Sequence, residues 1–314
     1  MATIAVTGAT GFVGRAVIRR LLQDHPPKNI RLLVRNPDQR RLPGRFEKTN
    51  LIDGNLHSQD ALSELVRDAH AVIHIAAVIA GNSAEDFHRI NRIGTDNLLQ
   101  VCTKYAPDSH LIHLSSLAAR EPELSWYADS KHAAEQAVQS SNLGYSMLRP
   151  PAVYGPDDPA LADFWRMLAR GWLIRLGPAD SRFSLLHVDD LAEAIARLIE
   201  HGPTDRIFCL HDGYACDEQP GWSWPALAEV AAQIRSTQVR TLAVPGLLLS
   251  GAANVNLRLA RLTGRPAMLS PGKKRELLHP DWVCDNAAIQ STLNWRPTTS
   301  LAQSLATLPG WKNT

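Results

Sequence analysis

The sequence lacks a pronounced excess of charge of either sign. Its 33 basic and 31 acidic residues leave a formal net charge of +2. Proteins that bind nucleic acids typically carry a strong basic patch or a run of like charges. We therefore expect no nucleic-acid partner. The motifs described below lead us to expect a small-molecule substrate.

The sequence also has few cysteines, and their spacing matches no metal site. None of the four lies in a CxxC or Cys/His ligand pattern, and the twelve histidines show no paired spacing either. This pattern predicts reduced, mostly buried thiols and no bound metal. The cysteines are Cys102, Cys209, Cys216 and Cys284.

No apolar run is long enough to cross a bilayer, which takes about 20 residues. The run from Leu242 to Ala253 is interrupted by Pro245 and two glycines. We interpret it as a buried or partner-facing helix, with peripheral membrane contact as the less favoured alternative. The first strand begins at Thr3 without a basic leader, so we expect no signal peptide and a cytoplasmic protein. The sequence leaves open whether the protein forms a homodimer.

The first half of the chain alternates short apolar runs with helical patterns. This alternation predicts an α/β fold with a doubly wound parallel sheet of the Rossmann type. Loop-forming residues around Pro150 and Pro151 mark the end of this alternating pattern. We therefore expect a dinucleotide-binding domain over residues 1–150 and a smaller α/β substrate-binding lobe over 151–314, from which segments around 180–215 return to the first domain's sheet. The expected strands of that sheet include Ile4–Thr7, Ile30–Val34, Ala71–Ile75, His110–Leu114 and Tyr145–Leu148, and the expected helices Val13–Gln23, Leu62–Arg67, Ile90–Tyr105 and Tyr127–Ser140.

The turn between the first strand and the first helix has the pattern GxxGxxG. Gly8 permits a tight turn, Gly11 permits close approach of the backbone to a pyrophosphate, and Gly14 permits close packing of helix on strand. The helix N-terminus adds free N–H groups and the positive end of its dipole. We therefore expect a nicotinamide dinucleotide on this turn, in contact with Thr7, Gly8, Thr10, Gly11, Phe12, Val13 and Gly14.

The end of the second strand bears on the choice between NAD and NADP. An acidic residue about 20 positions past the glycines would bind the ribose of NAD. Arg35 stands there instead, and Arg40 and Arg41 follow soon after. A guanidinium suits the 2′-phosphate of NADP, so the sequence favours NADP(H) and leaves NAD(H) open. Asp53 and Asn55, after the expected third strand, are candidates for contact with the adenine.

A serine pair and a Tyr-Lys pair form the candidate catalytic set. Ser115 and Ser116 end the fifth strand, and Tyr127 and Lys131 lie four residues apart on one face of the next helix. An ammonium group beside a phenol lowers the pKa of the phenol, and a strand-end serine could hold the substrate oxygen. This spacing indicates acid/base chemistry because it follows a dinucleotide-binding pattern.

These motifs together resemble the extended short-chain dehydrogenase/reductase family, which includes epimerases, dehydratases and enzymes like 3β-hydroxysteroid dehydrogenase. The resemblance covers nearly the whole chain and is strongest over residues 1–200. The segments that carry it are TGATGFVG at 7–14, HIAA at 74–77, NRIGTDNLL at 91–99, SS at 115–116, YADSK at 127–131, RPPAVYGP at 149–156, RFSLLHVDDLA at 182–192 and LNWRP at 293–297.

The resemblance implies a role for each matching residue. Ser116 would orient the substrate, Tyr127 would be the acid/base and Lys131 its activator, and Tyr127 and Lys131 would also contact the cofactor. Ala76 and Ala77 would line its nicotinamide half, and the 150–153 segment, with Pro150 and Val153, would close over it. The implied reaction transfers a hydride between the nicotinamide and a substrate carbon.

Two departures from the nucleotide-sugar enzymes favour a carbonyl or alcohol substrate. Ala152 stands where those enzymes usually carry an asparagine, and the loop from Ser116 to Tyr127 is short. We therefore rank an NAD(P)-dependent oxidoreductase first. A nucleotide-sugar epimerase or dehydratase with tightly bound NAD and a non-catalytic cofactor-binding sensor or assembly subunit remain as alternatives.

Three further interpretations concern single residues. We expect Asp190 to cap the N-terminus of a helix. We also expect His74 and His113 to be hydrogen-bonded structural histidines within strands. The tryptophans of the second half, Trp165, Trp172, Trp222 and Trp224, are interpreted mainly as core residues.

Overall fold

Strands and helical segments alternate over residues 3–149, as the apolar pattern predicts, whereas three strands follow one another between residues 172 and 187. The structure is a computed structural model that describes residues 3–36, 42–216 and 219–311. The described strands are β1 (Thr3–Thr7), β2 (Ile30–Val34), β3 (Leu51–Asp53), β4 (Ala69–His74), β5 (His110–Leu114), β6 (Tyr145–Arg149), β7 (Ala152–Tyr154), β8 (Trp172–Leu176), β9 (Arg182–Phe183), β10 (Leu185–His187), β11 (Arg206–Cys209), β12 (Ala215–Cys216), β13 (Gln219–Pro220), β14 (Trp222–Ser223), β15 (Arg240–Val244) and β16 (Asp281–Trp282). The described helices are α1 (Phe12–Asp24), α2 (Gln59–Val66), α3 (Ala84–Phe87), α4 (Gly94–Tyr105), α5 (Trp126–Gln139), α6 (Ala162–Ala169), α7 (Val188–His201), α8 (Trp224–Arg235), α9 (Gly246–Thr263), α10 (Pro271–Leu278), α11 (Ala287–Leu293) and α12 (Leu301–Ser304), with a π-helical turn over His88–Ile93.

Seven strands form one sheet in the order β11-β6-β5-β4-β1-β2-β3. The neighbouring pairs from β6 to β3 are parallel. The order reverses direction between β1 and β4, which is where doubly wound sheets bind ligands at the carboxyl ends of their strands. The sheet thus has the Rossmann-type α/β architecture that the sequence predicts. β4 begins two residues and α2 three residues before the expected start, and each ends one residue before the expected end.

The chain divides into two compact units. The first contains residues 1–149 and 191–208, and the second contains 150–190 and 209–314. The core of the first unit lies between the sheet and its helices and includes Val72, Leu98 and Met147, each fully buried. Nearly continuous apolar strands suit a sheet that is covered on both faces.

The core of the second unit combines leucines and alanines with large aromatic side chains. Trp165 and Trp222 are buried there, and Tyr154 packs with its ring centre 5.8 Å from that of Trp165. Trp224 packs against this core from a partly buried position. Trp172 is 39% exposed, so the interpretation as a core residue is wrong for this tryptophan.

The structure corrects two expectations about α7 and α9. Asp190 does not cap a helix, because α7 begins two residues earlier at Val188; its carboxylate accepts hydrogen bonds from Thr298 and Thr299 instead. The run from Leu242 to Ala253 is not a single helix, because residues 242–244 belong to β15 and α9 begins at Gly246. Leu247 is 88% exposed, so the run is not fully buried, and its interpretation as partner-facing stays a prediction. Among the described residues, no helix combines the length and apolar character needed to cross a membrane.

Candidate active site

The glycine turn connects β1 to α1 with almost no room for side chains. Gly8 has a φ of +80°, and a Cβ there would lie 2.7 Å from the backbone nitrogen of Ala76. A Cβ at Gly14 would lie 2.1 Å from the carbonyl oxygen of Gly8. Gly11 is the N-cap of α1 and has no side chain that could accept hydrogen bonds from the first backbone N–H groups of the helix. These donors can therefore bind a ligand. This turn fits a pyrophosphate, which needs both close backbone approach and N–H donors.

A chain of buried hydrogen bonds leads from this turn across the sheet. The hydroxyl of Thr95 donates to the carbonyl oxygen of Asn91, so Nε2 of His74 must be the donor in its 3.0 Å contact with Thr95. Nδ1 of His74 is then the acceptor for the hydroxyl of Thr7 at 2.7 Å, and Thr7 in turn accepts from the backbone of Ala76. Burial lowers the pKa of His74 to about 3, and the charge of Lys131 contributes to that shift, so the ring is neutral.

Asn91 belongs to the candidate site, although the sequence pattern predicts no separate role for it. It lies in the π-helical turn and is 1% exposed. Its side chain exchanges hydrogen bonds with both backbone groups of Val78 and donates to the hydroxyl of Ser130. Asn91 therefore ties the loop after β4, which holds Ala76 and Ala77, to the turn of α5 between Tyr127 and Lys131. A π turn often marks a functional site, but no local sequence signal predicts one.

Lys131 is almost completely buried beneath the end of β5. Its exposed fraction is 2%, and its ammonium donates to the carbonyl oxygen of Leu114 at 2.7 Å. Burial lowers the pKa of Lys131 to about 8, although the nearby carboxylate of Glu135 opposes that shift. Glu135 is itself held in two hydrogen bonds by Arg149, at 2.8 and 2.5 Å. This ion pair joins the C-terminal half of α5 to the last residue of β6.

Tyr127 lies one helical turn before Lys131 and is partly exposed. Its ring packs edge-on against Phe87, with the ring centres 6.3 Å apart. The helix that carries it begins after Ser125, whose hydroxyl caps the helix by accepting from the backbone of Ala128 at 3.0 Å. Tyr127 thus has one side against α3 and remains partly open to solvent.

The two serines after β5 differ in exposure. Ser115 is 5% exposed, and its hydroxyl has no hydrogen-bond partner among the described residues. Ser116 is partly exposed, and its hydroxyl accepts from the backbone of Ala118 at 3.2 Å. The helix α5 packs against the segment that directly follows Ser116. Of the two hydroxyls, that of Ser116 is therefore the one accessible to a ligand.

His113 contradicts the expectation of a hydrogen-bonded structural histidine. Both of its ring nitrogens are buried, and neither has a partner within the described part of the chain. Its ring centre lies 5.2 Å from that of His74. Burial, followed by the charge of Lys131, holds the pKa of His113 well below its usual value, so this ring is also neutral.

The residues expected at the adenine end lie where β2 and β3 finish. Arg35 directly follows β2 and is exposed, and Val34 pairs with Asp53 in the parallel register. The side-chain oxygen of Asn55 accepts from the backbone of His57 at 2.8 Å, so this oxygen already takes part in the turn. Arg40 and Arg41 lie outside the described residues. The predicted contacts of Arg35, Asp53 and Asn55 with a cofactor stay predictions.

Pro150, Ala152 and Val153 belong to the second unit, whereas the residues above belong to the first. Ala152 and Val153 lie in β7, which pairs in parallel with β10. The predicted contacts of Pro150 and Val153 with the cofactor stay predictions. Among the described residues, no group of three or more His, Cys, Asp or Glu side chains could hold a metal ion.

Comparisons with known proteins point to one family. The sequence profile of the NAD dependent epimerase/dehydratase family matches residues 4–210. A ceramide reductase of Caulobacter vibrioides is 33% identical over 288 residues, which is 90% of this chain and 86% of that protein. Human 3 beta-hydroxysteroid dehydrogenase type 7 is 27% identical over 66% of this chain and 68% of its own length.

A solved structure shows the same fold over the full chain. The UDP-glucose 4-epimerase of Thermus thermophilus, in complex with NAD, superposes with a TM-score of 0.69 and 20% sequence identity. The match covers 100% of both chains. At this identity the similarity concerns the fold alone, because a shared fold supports many different reactions.

Proposed function

Because the chain belongs to the NAD dependent epimerase/dehydratase family, we propose that it is an NAD(P)-dependent oxidoreductase that interconverts a carbonyl and an alcohol. One observation carries this proposal: a buried lysine of lowered pKa lies one helical turn from an accessible tyrosine. Lys131 meets the first condition and Tyr127 the second. A protein that only bound the dinucleotide would have no use for this costly buried ammonium.

In the proposed reaction the residues of this chain handle the proton. The bound nicotinamide supplies or accepts the hydride. In the reductive direction the phenol of Tyr127 gives its proton to the substrate oxygen as that oxygen becomes a hydroxyl. The ammonium of Lys131 stabilises the phenolate that remains, and the hydroxyl of Ser116 holds the substrate oxygen in line.

We assign the dinucleotide and the reacting oxygen of the substrate to the first unit, which holds the glycine turn, Ser116 and Tyr127. The second unit would supply further contacts with the substrate. Arg35 favours NADP(H), because an exposed guanidinium at the end of β2 can pair with a 2′-phosphate and no carboxylate follows it directly.

The favoured substrate is a ketone within a lipid-like molecule related to ceramide. Support comes from the similarity to a ceramide reductase over 90% of the chain. Ala152 adds support, because it removes the amide that the family's nucleotide-sugar enzymes use at this position. The proposed product is the corresponding alcohol, formed by one hydride and one proton.

The test uses the purified full chain with a 3-keto analogue of ceramide in mixed micelles. We expect the absorbance of NADPH to fall as the alcohol forms. In a parallel assay with NADH, we expect the absorbance of NADH to fall more slowly. Conversion of UDP-glucose, with NAD released only after denaturation, would overturn the proposal in favour of an epimerase. A failure of every carbonyl and alcohol tried to change NADPH absorbance would favour a binding protein.

A further inference from the structure

The helix α9 carries apolar side chains on two opposite faces. One face packs inward through Leu249, Ala253, Leu257 and Ala260, which are all buried. The opposite face consists of exposed apolar side chains, and we call this set the α9 surface. Its members and their exposed fractions are Leu247 (88%), Leu248 (68%), Val255 (56%), Leu259 (55%) and Leu262 (83%).

The α9 surface is a stripe along one side of the helix and not a scatter of single residues. At about 100° per residue, its five members fall within about 120° of the helix circumference, an arc that also contains Gly251 and Arg258, and the four buried residues lie on the other side. The structure describes eleven large exposed apolar side chains, and seven of them fall between Leu242 and Met268. Soluble monomers rarely gather exposed apolar residues in this way unless the surface binds something.

The stretch of sequence that contains this stripe carries charge of one sign. From Val230 to Arg275 the sequence contains eight basic residues and none of the 31 acidic residues of the chain. Arg258 and Arg261 lie on α9 itself and are exposed, and Arg265 is exposed just beyond its end. The rest of the chain therefore carries an acidic excess, although the whole is nearly neutral.

From this geometry we propose that the α9 surface binds the surface of an anionic lipid bilayer, with the leucines inserted among the acyl chains and the arginines at the headgroup phosphates. Apolar side chains bordered by Lys and Arg are typical of helices that lie in a membrane interface. The long side chains of Arg258 and Arg261 can extend to the headgroups while their stems cover apolar surface.

A second copy of the chain is a less suitable occupant of the same surface. A two-fold contact through α9 would bring Arg258, Arg261 and Arg265 of both copies together, without a carboxylate from this stretch to pair with them. The α9 surface also contains no aromatic residue, whereas the centres of protein interfaces are enriched in Tyr, Trp and Phe.

The test measures binding of the purified full chain to vesicles by co-sedimentation, without cofactor or substrate. The vesicles contain either phosphatidylcholine alone or phosphatidylcholine with phosphatidylglycerol. We expect binding to the anionic vesicles and at least about tenfold weaker partition to the neutral ones. The triple variant Leu247→Glu, Leu259→Glu, Leu262→Glu should lose binding, and Ile93→Glu, at another exposed apolar position, should not.

A charge-reversed variant tests the arginines separately from the leucines. Arg258→Glu with Arg261→Glu should weaken partition to anionic vesicles at least about tenfold, while Lys28→Glu should leave it unchanged. Equal sedimentation of the wild type and both α9 variants would overturn the proposal. So would a wild-type dimer that ignores vesicles and becomes a monomer in the triple variant. The vesicle experiments measure no turnover, so a failure to bind vesicles leaves the proposed reaction unaffected. A failure of the reaction assay likewise leaves the proposed membrane binding unaffected.

Discussion

The ammonium of Lys131 donates a hydrogen bond to the carbonyl oxygen of Leu114 at 2.7 Å. Leu114 is the last residue of β5, so this contact fixes the helix of the Tyr-Lys pair to the strand that leads into the serines. An ammonium has three donors. The contact with Leu114 accounts for one, which leaves Lys131 able to serve a phenolate and a ribose hydroxyl from the same position.

Removal of the phenolic hydroxyl should separate catalysis from binding. We expect Tyr127→Phe to lower kcat by about 10² to 10⁴, the usual contribution of a general acid/base, and to leave the dissociation constant of NADPH unchanged. Steady-state kinetics and cofactor fluorescence measure the two quantities. Tyr105→Phe, on α4, is the matched control and should retain full turnover. Normal turnover by Tyr127→Phe would refute the assigned role.

The buried ammonium of Lys131 should give the cofactor-free protein a distinctive dependence of stability on pH. Its pKa is about 8 in the folded chain and near 10.5 when unfolded, so between these values the unfolded state binds more protons. Stability therefore rises with pH in this window. In urea titrations, the unfolding free energy of the wild type relative to Lys131→Met should increase by roughly 2 kcal/mol from about pH 8 to about pH 10. Lys28→Met, at an exposed position, should give curves parallel to the wild type. Parallel curves for Lys131→Met would contradict the lowered pKa.

Arg35 should distinguish the two dinucleotides. A hydrogen bond to a charged group contributes roughly 1.5–3 kcal/mol, so Arg35→Ala should weaken NADPH binding by about tenfold or more. NADH lacks the 2′-phosphate, and its dissociation constant should not change. Titration of both cofactors against the variant and against Lys28→Ala, an exposed control, measures the effect. An unaltered preference for NADPH in Arg35→Ala would remove the basis for choosing NADP.

Two helical glycines form a matched pair for the geometry of the turn. A Cβ added at Gly251 would meet nothing within 4 Å, whereas a Cβ at Gly14 would lie 2.1 Å from the carbonyl oxygen of Gly8. Gly251→Ala should stabilise the protein by about 0.5–1 kcal/mol through helix propensity. Gly14→Ala should destabilise it by about 1–3 kcal/mol and weaken cofactor binding. Similar unfolding midpoints for the two variants would show that the close packing at Gly14 carries no cost.

The sequence predicted the features that arise from local pattern. The glycine turn, the apolar strands and the four-residue spacing of Tyr127 and Lys131 each depend on periodicity or on a residue type with special geometry. The end of β5 before Ser115 was likewise visible as the limit of an apolar run. These features account for the sheet and for the candidate catalytic set.

Features that depend on long-range contacts could not be predicted in this way. Asn91 joins Val78 to Ser130 through a π turn that no local pattern signals. Asp190 resembles a helix cap in sequence but bonds to Thr298, more than a hundred residues away. The missing partners of His113 and the exposure of Leu247 also depend on what packs nearby in three dimensions, which a single sequence does not reveal.

The seven-stranded sheet has a consequence for how the chain is made. Its outermost strand, β11, comes from residues 206–209, after the ribosome has already synthesised residues 150–190 of the second unit. The edge of β6 that pairs with β11 therefore stays unpaired while the ribosome synthesises residues 150–190 of the second unit. A fragment that stops after Arg149 would keep this open edge permanently, so we expect it to aggregate more readily than the full chain.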